Sequence, residues 1–334
     1  MKKILIVGGA GFIGHNLALE LNRDGNEVTI IDSLAVNNLF SVLDNKDNLH
    51  NPKLAEMFLN ERLLLIKKNN INFIIQDARD YHALTHVISK IKPDVIVHLA
   101  AVSHANRSNK DPHSTFDHSL RTLENVLDYA KHFKCHFIYF SSSMVYGNFT
   151  KEEMDEETAC NPIGIYGALK FSGEKIVIAY NQVFNLPYTI IRPSALYGER
   201  CISRRVGQIF IENVMTSNDI VIEGDGSDKL DFTYIKDLTN GVKKVIENKN
   251  AINQTFNLTF GQSNTISKLV EILKSEFSNI KVIYKKRNKL NPERGTLSVK
   301  KAKELINYVP SWPLEKGYKN YIKWYKEIFK SYEK

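Results

Sequence analysis

The sequence predicts an α/β fold in which a doubly wound parallel sheet carries a smaller lobe at its C-terminal side. Short apolar runs typical of buried parallel strands alternate with amphipathic helical patterns over the first two thirds of the chain. The length of 334 residues also exceeds what one small core accommodates. We expect a larger domain over residues 1–193, with 232–257 returning to it, and a smaller lobe over 194–334.

The first predicted strand, residues 4–7, runs directly into a glycine-rich turn. Glycines occupy positions 8, 9, 11 and 14, and a helix is predicted over 15–23. Gly8 permits a tight turn, Gly11 lets backbone N–H groups approach a pyrophosphate, and Gly14 allows the helix to pack closely. This arrangement predicts a Rossmann-type dinucleotide site with the phosphates at the positive end of the helix.

Acidic and small residues close the next three predicted strands. The second strand, 27–31, ends at Asp32, whose carboxylate can accept both ribose hydroxyls of NAD and would repel the 2′-phosphate of NADP. The third strand, 71–76, ends at Asp77, where a side chain can meet the adenine amino group. The fourth, 94–101, closes on small residues that leave room for the cofactor. The predicted cofactor is therefore NAD.

The connection between the second and third strands, residues 33–70, is long for this kind of fold. Asn51 and Pro52 followed by residues 53–68 predict an additional helix. The apolar side chains available for its packing face are Leu54, Met57, Phe58, Leu64 and Leu65. Two roles are open for this helix, a flap beside the adenosine or a contact surface.

Tyr166 and Lys170 form the only tyrosine–lysine pair with this four-residue spacing in the chain. On a helix they lie one turn apart and face the same way. An ammonium beside a phenol favours the phenolate, which can take a proton from an alcohol while hydride leaves the same carbon for NAD. Serines 141–143 end the fifth predicted strand, where open α/β sheets bind ligands, and either Ser142 or Ser143 would hold the reacting oxygen.

Taken in order, these motifs resemble the extended short-chain dehydrogenase/reductase family and, within it, the NAD-dependent nucleotide-sugar epimerases and dehydratases. The resemblance covers nearly the whole chain. The segments that carry it are residues 8–14, Asp32, Asp77, 98–101, 141–147, Tyr166 with Lys170, Arg192 with Pro193, 224–234 and 292–295.

This resemblance implies tightly held NAD, a nucleoside-diphosphate sugar as substrate and transient oxidation at sugar C4. It also implies a homodimer through a four-helix bundle, built here from helices over 112–133 and 166–183. The implied catalytic residues are Ser142, Ser143, Tyr166 and Lys170. The implied cofactor contacts are Gly8, Gly11, Phe12, Ile13, Gly14, Asp32, Asp77, Ala78, Leu99, Ala100, Ala101, Tyr166, Lys170 and Pro193.

Four positions depart from the family's pattern. The family's 4,6-dehydratases and decarboxylases carry an acidic residue at the position of Met144, and a thioether cannot donate a proton. Met144 therefore favours an enzyme that only moves hydride. Ala195 and Leu230 stand where relatives carry an asparagine and an arginine near the substrate diphosphate, and Ser119 replaces a common asparagine on the dimer-face helix.

Diphosphate recognition is therefore expected from other arginines. Arg294 matches the family's C-terminal phosphate-binding arginine, and Arg204 or Arg205 follows the turn where a substrate loop is expected. Arginine suits bidentate phosphate contact better than lysine. The expected substrate contacts are Ser103, Ser143, Met144, Arg204, Arg205 and Arg294.

The net charge of +8 is concentrated in residues 281–334, which hold fifteen Lys or Arg against five Asp or Glu. This excess indicates either attraction for an anionic substrate or a solvated lysine-rich surface, and no nucleic-acid module accompanies it.

No apolar run is long enough to span a membrane, and the N-terminus is a core strand instead of a signal peptide. Three widely spaced cysteines predict neither disulfides nor zinc, and no metal site is expected. The expected location is the cytoplasm.

The favoured interpretation is an NAD-dependent nucleotide-sugar 4-epimerase of carbohydrate biosynthesis. Two oxidoreductase or lyase alternatives stay open, a 4,6-dehydratase and a net C4 dehydrogenase or ketoreductase. A non-catalytic NAD-binding regulator or scaffold is the alternative from another class. The chain carries the Tyr166 and Lys170 pair, which weighs against that last alternative.

Overall fold

The structure, a computed structural model, describes residues 1–44, 51–103, 105–133, 135–288 and 291–332. The strands are β1 Lys3–Val7, β2 Glu27–Asp32, β3 Asn72–Ile75, β4 Val95–His98, β5 His136–Phe140, β6 Glu153–Met154, β7 Tyr188–Arg192, β8 Leu196–Tyr197, β9 Ile220–Glu223, β10 Lys229–Leu230, β11 Thr233–Tyr234, β12 Gln254–Asn257, β13 Asn264–Thr265, β14 Val282–Lys285 and β15 Thr296–Leu297.

Helices pack on both faces of the sheet and build most of the C-terminal region. They are α1 Phe12–Arg23, α2 Leu39–Asp44, α3 Pro52–Lys68, α4 Tyr81–Ile91, α5 Ala105–Lys110, α6 Pro112–Phe116, α7 Thr122–Phe133, α8 Gly164–Phe184, α9 Val206–Met215, α10 Ile235–Glu247, α11 Ile266–Glu276, α12 Lys300–Ile306 and α13 Leu314–Tyr332.

Seven parallel strands form the central sheet in the order β12-β7-β5-β4-β1-β2-β3. The sheet confirms the predicted doubly wound fold. All five residues of β5 and all four of β4 are buried, as expected for strands covered by helices on both faces. The winding reverses between β1 and β4, so the carboxyl ends of these two strands open a crevice, which is where such sheets bind ligands.

The return of the chain to the main sheet differs in detail from the prediction for 232–257. Strand β12 pairs with β7 and completes the sheet. The earlier strand β11 instead pairs with β8 in a separate two-stranded ladder. Only the last four residues of the predicted segment therefore join the sheet.

The helix predicted over 112–133 is interrupted. A turn of π-helix, Asp117–Arg121, separates α6 from α7. Thr122 follows this turn, and its hydroxyl donates to the carbonyl of His118 at 2.9 Å. A π turn carries one more residue than an α turn and often lies at a functional site. Here it brings His118 and Thr122 to the wall of the crevice.

The additional helix α3 is part of the hydrophobic core. Leu54, Phe58, Leu59 and Ile66 are buried. The ring of Phe58 lies 4.7 Å from that of Trp324, on the terminal helix α13. The predicted packing face was partly wrong, because Leu64 is 53% exposed and Arg62 is buried in its place.

The longest helices are α8, with 21 residues, and α13, with 19. Helix α13 is amphipathic, and Tyr318, Tyr321 and Tyr325 are fully buried on its inner face. Within the described ranges, no helix has the length and apolar character that crossing a membrane would require.

Candidate active site

The glycine turn after β1 forms the floor of a first cleft at the crevice. Gly8 has a φ of +82°, and a Cβ there would lie 2.6 Å from the backbone nitrogen of Ala100, at the end of β4. A Cβ on Gly14 would lie 2.5 Å from Cα of Gly9. The capping residue of α1, Gly11, has no side chain to bond the first N–H groups of the helix. The turn therefore fits a pyrophosphate at the N-terminus of α1.

Asp32 lies at the end of β2, beside the glycine turn. Its two carboxylate oxygens accept backbone N–H groups from Ala10 at 3.0 Å and from Leu34 at 2.8 Å. Burial raises the pKa of Asp32, and these two hydrogen bonds and the charge of Arg62 act against that rise. The carboxylate is thus held at the wall of the cleft with room for further hydrogen bonds, since each oxygen can accept more than one.

Asp77 lines the same cleft but already has a cationic partner. Arg79 donates to it from Nε and Nη2, the latter at 2.7 Å, and also binds Asp117 at 2.7 Å. Burial acts to raise the pKa of Asp77, but the hydrogen bonds from Arg79 outweigh it and lower that pKa. This ion pair was not predicted from the sequence, and the adenine contact of Asp77 stays a prediction.

The other predicted cofactor residues from the first four strands also line this first cleft. The set is Gly8, Gly11, Phe12, Ile13, Gly14, Asp32, Asp77, Ala78, Leu99, Ala100 and Ala101. Tyr166, Lys170 and Pro193 line a second cleft instead. The two clefts adjoin, because both are lined by Ile13, Leu99, Ala101, Ser103, Leu196 and Arg205.

Close backbone packing positions α8 at the second cleft. Asn109 of α5 accepts a hydrogen bond from the N–H of Ile165 at 3.2 Å and so caps the helix. A Cβ on Gly167 would lie 2.8 Å from the carbonyl oxygen of Met144, and one on Gly173 would lie 2.1 Å from the hydroxyl of Tyr139. Because these two glycines lack side chains, α8 can lie directly on β5 and on the serine-rich turn that follows it.

Lys170 is buried on the cleft side of α8. Its ammonium donates to the carbonyl of Phe140 at 2.7 Å and lies 5.3 Å from the ring centroid of Tyr139. Burial lowers the pKa of Lys170 to about 8, and the Glu174 carboxylate one turn further along α8 partly opposes this shift. Tyr166, one turn before Lys170, lines the same cleft.

The three serines after β5 have different partners. Ser141 donates to Glu174 and is thereby occupied in the core. Ser142 accepts from the N–H of Met144 at 3.2 Å and caps the short 3₁₀ turn Ser143–Tyr146. Ser143 accepts from Nη2 of Arg294. Ser142 and Ser143 both line the second cleft with Tyr166.

A buried ion pair, Glu174 with Arg192, supports the serine turn from below. Arg192 donates to the two carboxylate oxygens at 2.9 and 2.7 Å. Its remaining nitrogen donates to the hydroxyl of Tyr146 at 2.9 Å, which in turn donates to Asn257 at 2.9 Å. This network was not predicted from the sequence, although a glutamate four residues after Lys170 is a signal that could have indicated it.

The predicted substrate residues are only partly brought together. Ser103, Ser143, Met144, Arg205 and Arg294 all line the second cleft. Arg204 lines neither cleft, because its Nε faces Glu212 of α9 at 3.9 Å. The two adjacent arginines therefore point to different surroundings, which their sequence positions alone could not distinguish.

Replacement of Lys170 by methionine is expected to change how stability depends on pH. The folded-state pKa of about 8 lies below the ordinary value of 10.5, so between these pH values the unfolded chain binds more protons. The contribution of Lys170 to the free energy of unfolding therefore rises with pH across that window. Urea unfolding of the cofactor-free wild type and K170M, below and above pH 8, measures the difference. A difference that stays constant with pH would contradict the shifted pKa.

Comparisons with known proteins match this geometry. A family model described as the NAD dependent epimerase/dehydratase family matches residues 4–259. A putative UDP-glucose 4-epimerase of Methanocaldococcus jannaschii is 30% identical over 329 residues, covering 97% of this chain and 98% of that protein.

Two solved structures share the fold along their whole length. UDP-glucuronic acid 4-epimerase from Bacillus cereus, in complex with UDP-glucuronic acid and NAD, has a TM-score of 0.84 and 25% identity, covering 97% of this chain and 99% of that one. UDP-glucose 4-epimerase from Thermotoga maritima, with UDP-glucose, has a TM-score of 0.84 and 25% identity at 98% and 99% coverage. The chain described here belongs to the NAD-dependent epimerase/dehydratase family, and its cofactor is NAD.

Proposed function

We propose that this protein is an NAD-dependent 4-epimerase of a nucleoside-diphosphate sugar. The observation that carries the proposal is that Tyr166, Lys170, Ser142 and Ser143 line the second cleft, which adjoins the first, the dinucleotide cleft. Met144 lines the same cleft with a thioether where the family's dehydratases are expected to carry an acid. Similar proteins named as UDP-glucose and UDP-glucuronate 4-epimerases support a UDP-sugar substrate.

In this mechanism the phenol oxygen of Tyr166 takes the proton from the C4 hydroxyl of the sugar. Ser142 or Ser143 donates a hydrogen bond to the same sugar oxygen and holds it in place. When bound, NAD supplies a reversible hydride acceptor for the C4 carbon. Lys170, one turn after Tyr166 on α8, contributes a positive charge to the same cleft. The 4-keto sugar then presents its opposite face, the hydride returns to C4 and Tyr166 returns the proton to the oxygen, so the product is the C4 epimer.

Diphosphate recognition is proposed for Arg205 and Arg294. Nη2 of Arg294 donates to Ser194 at 2.8 Å, and Nη2 of Arg205 donates to the carbonyl of Ser103 at 3.1 Å. Neither arginine forms an ion pair with any residue that the structure describes. Burial lowers the pKa of Arg294 to about 10, and the charge of Arg205 acts in the same direction. Two cations without an anionic partner in one cleft favour a dianionic ligand.

We further propose a homodimer through the helices over 112–133 and 166–183. The outer face of α8 supports it, because its exposed residues recur every three or four positions. Those that follow this spacing are Ile165, Ala168, Ser172, Lys175, Ala179 and Val183, and Gly164, Gln182 and Phe184 at the ends of the helix are also exposed. The rings of Phe116 and Phe133 are also half exposed on the neighbouring helices. Mostly small and apolar side chains at helical spacing suit close helix packing against a second copy.

The division into a larger domain over 1–193 with 232–257 and a lobe over 194–334 is likewise a proposal. It is supported by the position of the second cleft, whose lining residues come from both parts, such as Tyr166 and Arg294. A role in carbohydrate biosynthesis follows from the proposed activity.

Tyr166→Phe should abolish interconversion of the C4 epimers while NAD stays bound. Loss of a general acid–base group lowers the rate by about 10² to 10⁴-fold. Proton NMR of UDP-glucose and UDP-glucuronate incubated with each protein measures it, with Tyr180→Phe on the same helix as the control. A stable 4-keto-6-deoxy product would contradict epimerisation, and so would net reduction of added NAD. Equal rates in the wild type and Y166F would contradict the mechanism.

Replacing Arg205 or Arg294 by methionine should raise KM for the nucleotide sugar much more than it lowers kcat. Loss of a hydrogen bond to a charged group corresponds to a change of about 10- to 100-fold in affinity. The matched control is Arg204→Met, which removes the adjacent arginine outside the cleft. Steady-state kinetics that show the same KM for all three variants would contradict the assignment.

Ala179→Arg on the exposed face of α8 should convert the dimer to a monomer. Burying an unpaired arginine at the contact costs more free energy of association than burying the alanine side chain that it replaces. Light scattering after size exclusion measures the mass. The control is Leu64→Arg, at an exposed position of α3. A wild type that is monomeric at micromolar concentration would rule out the dimer.

A further inference from the structure

The long connection between β2 and β3 delivers one charged side chain to the dinucleotide cleft. Arg62 lies on α3 one turn after Phe58, whose ring packs against Trp324 and Tyr325 of α13. That packing fixes the helix in the core. Arg62 is only 1% exposed and lines the first cleft together with Asp32.

Most of the Arg62 guanidinium is held by a single backbone group. Nε donates to the carbonyl of Arg200 at 3.0 Å, and Nη2 donates to the same oxygen. This fork fixes the plane of the guanidinium. Nη1 is buried and has no hydrogen-bond partner among the residues that the structure describes. A buried, unpaired donor on a charged group is costly, so an acceptor from outside the chain is expected there.

Asp32 is close enough to interact electrostatically with Arg62 but does not pair with it. The positive charge of Arg62 lowers the pKa of Asp32, and the Asp32 charge raises that of Arg62. Over the described part of the chain, no ion pair within 4.0 Å joins them. The carboxylate accepts one backbone N–H at each oxygen and has capacity left.

A hydroxyl group meets the needs of both side chains, because it donates one hydrogen bond and accepts another. We infer that Arg62 is a cofactor-binding residue whose Nη1 donates to a hydroxyl oxygen of the adenosine ribose of NAD, while that hydroxyl donates its proton to Asp32. The role of the 33–70 connection is then to supply the second half of a ribose clamp. This inference requires the NAD binding of the family and is independent of the proposed epimerase chemistry.

The test measures binding of NAD to the full-length chain after removal of nucleotide, by calorimetry and without any substrate. Arg62→Met should weaken NAD binding by about 10- to 100-fold, as for loss of a hydrogen bond from a charged donor. The control is Glu61→Gln on the same helix. Glu61 accepts from Arg200 at 3.1 Å and lines neither cleft, so E61Q disturbs the same loop without removing a cleft donor. E61Q should bind NAD within about twofold of wild type.

Analogues of NAD distinguish direct contact from a structural effect. Two analogues are used, NAD without the 2′-hydroxyl and NAD without the 3′-hydroxyl of the adenosine ribose. For one of them the loss of affinity caused by R62M should largely disappear, because the hydroxyl that Arg62 would contact is already absent. A penalty of equal size with NAD and both analogues would overturn the inference, as would unchanged NAD binding by R62M or an equal loss in E61Q. If R62M does not fold, Arg62→Lys serves instead. It keeps the charge without the fork, and the same dependence on the analogues is expected.

Discussion

The active-site region depends on the buried ion pair between Glu174 and Arg192. Both side chains are nearly inaccessible, and removal of one partner from such a pair typically costs about 3 to 5 kcal/mol because the other charge stays buried and unpaired. The pair joins α8 to β7 and, through Ser141 and Tyr146, to the turn that carries Ser142 and Ser143. Lys170 stands one turn before Glu174. A single electrostatic contact thus fixes α8 and the serine turn relative to each other.

The parts of the molecule that the sequence predicted well are those specified by neighbouring residues. An apolar strand, a glycine turn and a helix follow each other at β1 and α1, and the acid at the end of β2 lies where the parallel sheet must bring it. Because the carboxyl ends of parallel strands meet at one edge, these local patterns are enough to assemble the dinucleotide cleft. The family comparison confirmed the fold and the cofactor, whereas the roles of individual residues such as Tyr166 stay predictions.

Features that depend on tertiary packing could not be predicted from local sequence patterns. An apolar count along α3 placed Leu64 inside and gave no reason to bury Arg62, because a charged side chain on an amphipathic helix normally faces solvent. The burial of Arg62 results from the carbonyl of Arg200, a residue far along the chain. The pattern of residues likewise did not indicate the π turn before α7 or the ion pair that directs Arg204 to Glu212 of α9.

The order of strands in the sheet has a consequence for how the polypeptide reaches its native state. Strand β12 occupies the edge next to β7, yet it is contributed by residues 254–257, more than sixty positions after β7 ends. Until that late segment has been synthesised, β7 presents unpaired N–H and C=O groups along a buried, apolar strand. Open edges of this kind recruit strands from other molecules. A nascent or proteolysed product that stops at residue 193 would therefore self-associate, even though it contains the entire glycine turn and Tyr166.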